Sequence, residues 1–166
     1  SNVDNACAWI EDGWFNTGDI GYMDAEGFLY LSGRAKDLII RSGHNIDPEL
    51  IEEPLNAHAD VVTSIAIGLP DPYAGELPMA YVVKVANSDV TEQELIDHCA
   101  SAMSERAAIP KRIAFIDAMP LTAVGKIFRP TLRQKVSEQV IGELLAKESI
   151  DVAITSEIEK KRGLVL

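Results

Sequence analysis

Cysteine is scarce in this chain: Cys7 and Cys99 stand alone among 166 residues. Neither has a partner at metal-ligand or Cys-x-x-Cys spacing, so no disulfide framework is encoded. Both read as free thiols of a reducing compartment, with the cytoplasm as the default. His44, His58 and His98 are scattered, which argues against a zinc site. No apolar run approaches the ~18 residues of a membrane span, and no signal-peptide pattern is present. Basic residues are also short, 15 Lys and Arg against 26 Asp and Glu, for a net charge of -11. That balance, with no interleaving of aromatic and basic residues, argues against a nucleic-acid or anionic-membrane surface. Internal repeats and low-complexity segments are absent.

What is present is a core. At 47% hydrophobic the chain supports one ordinary domain and a fragment of another. The charge is uneven: residues 1–110 hold 5 Lys and Arg against 19 Asp and Glu, whereas residues 111–130 hold 4 against 1. A basic patch in an acidic protein is a place for an anionic ligand.

Taken in order, Ile20–Met23, the turn Asp24-Ala25-Glu26-Gly27 and Phe28–Leu31 predict a β-hairpin. Leu38–Ile40 reads as a strand, and Asp47-Pro48 opens an amphipathic helix bearing Leu50, Ile51, Leu55 and Ala59. Two strands follow, Val61–Leu69 and Pro78–Val85, joined by a long turn from Pro70 to Glu76. Thr91 caps a helix with Glu94 three residues on. Arg112–Ile116 is a short third strand, and Pro130 starts a helix through Leu132, Val136 and Val140. The tail alternates Ile150, Val152 and Ile154, then predicts a short polar helix and a small edge strand at the end. The fold class is α+β, helices packed on a small sheet, preceded by a β-hairpin. The expected division is 1–36 and 37–166, with an extra tail from about 146.

Several residues have chemistry to offer. Lys126 follows Gly125 in a loop; it is either an ordinary surface lysine or a mobile charge for a phosphate or carboxylate. The Walker pattern fails, since Ile127 follows the lysine. Asp19 either caps its own turn or accepts ribose hydroxyls. Arg34 pairs with a phosphate, a ribose oxygen or Asp37. His44 is a ligand contact or a hydrogen-bonded turn residue, and Arg41 solvates a strand edge or anchors a phosphate.

Three stretches together resemble the C-terminal part of the acyl-activating, adenylate-forming enzymes. Gly13-Trp14-Phe15-Asn16-Thr17-Gly18-Asp19 is similar to their GWF-x-TGD signature. Gly33 to Glu52 resembles the GR-x-KD segment with its downstream Pro and Ile-Glu. Pro120-Leu121-Thr122, Gly125-Lys126-Ile127 and Arg129 resemble the closing P-x-T-x-x-GK-x-x-R. The resemblance covers roughly residues 11–145 and is most like the AMP-forming acyl-CoA synthetases.

It implies two half-reactions: a carboxylate and ATP give an acyl-adenylate and pyrophosphate, then coenzyme A gives a thioester and AMP. Fatty-acid metabolism is the implied setting. By position, Asp19 would bind the ribose hydroxyls and Arg34 the ribose or a nearby phosphate. Asp37 would be the hinge of a rotating C-terminal domain. Lys126 would bridge the carboxylate and the α-phosphate. The Ser42-Gly43-His44 loop would enter during thioester formation, with Gly43 leaving room for the pantetheine arm. Mg²⁺ would assist on the phosphates, with protein ligands in a large N-terminal domain that these residues lack. Alone, these residues are therefore expected not to form an acyl-adenylate. A domain that loads a carrier protein, and a non-catalytic module that kept the fold, are the alternatives. The acyl substrate and the oligomeric state are not encoded here.

Overall fold

The run from Val61 to Leu69 is apolar at nearly every position because both of its faces are covered. A half-exposed strand alternates, whereas one buried on two faces does not need to. In the computed structural model, which describes residues 9–10, 13–150, 152, 154–159 and 163–165, this run is the spine of the larger of two units. The units are Ser1–Leu38 and Ile39–Leu166.

The first unit holds two antiparallel pairs. β1 (Trp9–Ile10) pairs with β2 (Trp14–Phe15), and β3 (Asp19–Met23) pairs with β4 (Leu29–Arg34). The expected hairpin is therefore present. Its turn is closed by Asp24, whose Oδ1 accepts the Phe28 N–H at 2.8 Å. Tyr22 and Tyr30 face each other across the strands with ring centroids 5.1 Å apart. Trp14, Tyr22, Phe28 and Leu31 all remain exposed. Cys7 lies outside the described residues.

The second unit runs β5 (Ile39–Arg41), β6 (His44–Ile46), α1 (Glu49–Asn56), β7 (Val61–Asp71), β8 (Gly75–Lys84), α2 (Glu92–Ala102), a 3₁₀ turn (Arg106–Ala108), β9 (Arg112–Phe115) and α3 (Arg129–Lys147). The sheet order is β6-β5-β8-β7, with β9 parallel to β8. Side chains alternate across it. Ile65, Ile67, Met79 and Tyr81 pack with Leu132 and Val136 of α3. Ala66, Ala80 and Val82 pack on the opposite side with Ile51 and Leu55 of α1 and with Leu95 and Cys99 of α2. The sheet thus carries helices on both faces.

Local sequence sets the helix starts. The Asp47 carboxylate accepts the Glu49 N–H at 3.0 Å, leaving Pro48 where its missing N–H costs nothing. Thr91 Oγ1 accepts the Glu94 N–H at 3.3 Å while Glu94 accepts the Thr91 N–H at 2.8 Å, a complete capping box. The Thr91 N–H and the Thr91 hydroxyl, each donating to the Glu94 carboxylate at 2.8 Å, hold this exposed group below its usual pKa.

Two expectations are corrected. The turn between the long strands is only residues 72–74, because β7 continues to Asp71 and β8 starts at Gly75. Asp71 Oδ1 makes this possible by accepting the N–H groups of Tyr73 and Ala74 at 2.9 and 2.7 Å. In the tail, Glu157–Glu159 forms not a polar helix but a strand, β10, paired with β11 (Gly163–Val165). Before it, Ser156 lies along α3, its carbonyl accepting Gln134 Nε2 at 2.7 Å and its hydroxyl donating to Glu138.

Candidate functional site

Asp19 and Arg34 stand directly opposite in the β3–β4 register. Arg34 Nε lies 3.1 Å from Asp19 Oδ1, with both side chains reaching solvent. The loop before Asp19 is tied by its own side chains: Asn16 Oδ1 accepts the Gly18 N–H at 2.9 Å and Thr17 Oγ1 accepts the Asp19 N–H at 3.1 Å. Gly18 has φ +74°, which a residue with a Cβ rarely adopts. Asn16 and Thr17, then, supply the turn caps, and the Asp19 carboxylate is left to meet Arg34. Gly18 O also accepts the Ala35 N–H at 2.9 Å, and Arg34 O accepts the Asp37 N–H at 2.9 Å.

In the second unit, Ser42 and Gly43 form a two-residue hairpin loop between β5 and β6, with Arg41 opposite His44. Both have positive φ, +49° and +83°. That pattern matches the twist of a two-stranded ribbon. Nothing lies within 4 Å of a Cβ built on Gly43, and His44 is exposed. Arg41 donates to the Ala107 carbonyl at 2.6 Å, so it anchors this hairpin to the 3₁₀ turn.

Lys126 sits at the exposed end of a small loop closed on Thr122. Thr122 N–H donates to Lys126 O at 2.7 Å, and Gly125 N–H donates to Thr122 O at 2.9 Å. Thr122 Oγ1 accepts the Lys126 N–H at 3.1 Å. Leu121 bridges Ile127, and Phe128 N–H donates to Pro120 O at 2.8 Å. Met119 and Ile127 root the two ends of the loop in the cluster under α3. The result is a short stalk, with Thr122 and Lys126 as the pair that closes its loop and Lys126 exposed.

Of the expected site residues, then, the structure brings Asp19 to Arg34 and ties Asp37 to the same turn. Lys126 and the Gly43–His44 turn occupy separate loops of the second unit. A depression of about 470 Å³ lined by His58, Asp60, Ser88, Asp89, Val90 and Glu94 contains none of them.

Two contacts escaped the sequence reading. Glu52 and Arg129 form a two-pronged ion pair, Nη1–Oε1 2.9 Å and Nη2–Oε2 3.2 Å. Glu76 reaches from β8 to accept the Ile40 N–H at 2.8 Å. Glu52 and Arg129 close two of the recognised signatures, and that was the available signal. Among the described residues no group of three or more His, Cys, Asp or Glu could hold a metal ion. No helix among them is long and apolar enough to cross a membrane.

Residues 50–126 match the family described as AMP-binding enzyme C-terminal domain. Among curated proteins, a marinolic acid–CoA ligase of Pseudoalteromonas is 49% identical over 141 residues, 85% of this chain and 22% of that protein. A 2-succinylbenzoate–CoA ligase of Bacillus cereus is 43% identical over 129 residues, 78% of this chain and 26% of its own length. Among solved structures, ATP-bound MatB from Rhodopseudomonas palustris superposes with a TM-score of 0.72 at 32% identity, covering 80% of this chain and 26% of that one. The o-succinylbenzoate CoA synthetase of Bacillus subtilis, in complex with its acyl-adenylate, gives 0.69 at 38% identity over 75% of this chain and 25% of that one. The chain spans about a quarter of the length of these relatives.

Proposed function

Residues 50–126 of this chain are an AMP-binding enzyme C-terminal domain, and from that premise we propose that the chain serves an ATP-dependent, AMP-forming acyl-CoA ligase. The intact enzyme joins a carboxylic acid to ATP as an acyl-adenylate, releases pyrophosphate, and passes the acyl group to coenzyme A. The observation that carries this reading is the loop closed between Thr122 and Lys126, which leaves Lys126 exposed.

An ammonium carried on a backbone-closed loop suits the first step. The carboxylate and the α-phosphate are both anionic, and negative charge builds on the phosphorus oxygens as they approach. A cation brought beside them lowers that barrier by neutralising the charge as it develops. The Asp19–Arg34 pair fits a nucleotide: one carboxylate accepts from ribose hydroxyls, and one planar guanidinium donates to ribose or phosphate oxygens. Asp37, in the turn after β4, is the proposed hinge between 1–36 and 37–166. The Gly43–His44 turn is proposed to face coenzyme A in the second step, where the open space around Gly43 suits a slender pantetheine arm. That the relatives are CoA ligases supports coenzyme A over a carrier protein as acceptor. A reducing cytoplasm, where a free thiol such as Cys99 persists, is the proposed compartment. The 166 residues span about a quarter of these relatives, and on their own they are proposed to be inactive.

The test is carboxylate-dependent ATP–pyrophosphate exchange by the intact ligase with Lys126→Ala. Exchange is expected to fall by about 10²–10³, while thioester formation from added acyl-adenylate persists. Unchanged exchange in the variant would defeat the reading.

A further inference from the structure

Ala66 lies in β7, the strand that ends the sheet order. It faces Ala80 of β8 in register, yet it turns its own N–H and carbonyl to side chains. Its N–H donates to Glu52 Oε1 at 2.8 Å, and its carbonyl accepts Arg129 Nη1 at 2.9 Å. The same Glu52 carboxylate receives both prongs of Arg129. Two residues earlier, in the same register, the Ser64 N–H goes to Asn56 Oδ1 at 2.8 Å. Three outward backbone groups in the middle of this edge are thus occupied by α1 and by the first residue of α3. Edge strands left open invite pairing with other chains, so the clip has a plain structural use.

Its position gives it a second use. Arg129 is the first residue of α3 and stands three positions after Lys126. The Lys126 stalk has one root in Met119 and Pro120 and the other in Ile127 to Arg129. Both Glu52 and Arg129 are mostly buried, with side chains 12% and 21% exposed. A charged fork held this way fixes direction as well as distance, because two parallel N–H···O bonds tolerate little rotation.

We propose that Glu52 and Arg129 are positioning residues for Lys126: their clip on the β7 edge fixes the C-terminal root of the lysine's loop. This rests on the reading of Lys126 as the group that acts in adenylation. The clip touches no substrate; it acts through the stalk.

Amide hydrogen exchange on the full chain tests it, with Arg129→Lys and Glu52→Gln as variants. Arg129→Lys keeps the charge and removes the fork; Glu52→Gln keeps the shape and removes the charge. The amides of Gly125 and Lys126, which bond Thr122 in the closed loop, are expected to exchange at least about tenfold faster in both, while those of Ile67, Met79 and Tyr81 keep their rates. Loop amides that do not change would overturn the proposal. So would one common acceleration of all five amides, because that is general destabilisation. In the intact ligase the same variants are expected to lower kcat for adenylation about tenfold with KM for ATP within about twofold. A change in KM alone would also overturn it. The two readings fail separately. If Lys126→Ala leaves pyrophosphate exchange intact while the clip variants free the loop, the functional reading falls and the positioning of Lys126 stands.

Discussion

Glu76 lies across Gly68: a Cβ built on Gly68 would fall 2.3 Å from the Glu76 carboxyl carbon. The carboxylate passes over that bare position to reach the Ile40 N–H at 2.8 Å, in the strand that opens the second unit. Gly68→Ala is therefore expected to push the flexible Glu76 end aside and break the bond. Ile40 is 52% exposed, so water takes over its N–H and the cost is modest, about 1 kcal/mol. Glu76→Gln loses the same charge-assisted bond. Urea unfolding of the two single variants and the double variant should show the double costing no more than the worse single. Strictly additive losses would mean that the two residues act independently.

Local signals made much of this fold readable. Asp47-Pro48, Thr91 with Glu94, and Pro130 each announce a helix start through chemistry confined to four residues, and all three helices begin there. The Ser42-Gly43 hairpin was harder, because serine is an uncommon first residue for a loop that needs positive φ twice. The Glu52–Arg129 clip was harder still. Its partners are 77 positions apart, and nothing in either motif says that the glutamate of one meets the arginine of the other. Lys126 and Asp19 stood out by residue type and place, but that alone left a surface lysine and a turn cap open beside a site role; Gly43 entered only through the resemblance.

The Asp19–Arg34 pair is exposed enough that its value to stability is small. Surface ion pairs contribute at most about 1 kcal/mol, and Asp19→Asn keeps the shape, so the unfolding midpoint should barely move. If the carboxylate holds ribose hydroxyls, the intact ligase should instead show KM for ATP raised by about tenfold or more. A variant with an unchanged KM would remove Asp19 from the nucleotide site.

Cys99 is fully buried, and burial pushes its thiol up to about 11 from a reference of 9.0. As pH rises between these values, the unfolded chain releases a proton that the native chain retains. Stability from this source is complete below the unfolded value and is lost as pH climbs through the folded one. Tyr81 is also raised by burial and shares the sign, so the informative quantity is a difference. In a Cys7→Ser background, the decline in urea midpoint from about pH 8 to 10.5 should be steeper with Cys99 than with Cys99→Ala. Parallel curves would show that the thiol ionises alike in both states.

Gly43 offers the sharpest separation of structure from function. Its φ of +83° penalises a β-carbon, yet no atom lies within 4 Å of where one would sit. Gly43→Ala is accordingly expected to cost about 1 kcal/mol through backbone strain alone. Asparagine tolerates this backbone region far better, so Gly43→Asn should cost less while placing more bulk in the open space. If that space is the path of the pantetheine arm, Gly43→Asn in the intact ligase keeps pyrophosphate exchange and loses thioester formation, with KM for coenzyme A rising. Should Gly43→Asn form the thioester normally, the glycine serves only its turn. The coenzyme path would then lie elsewhere.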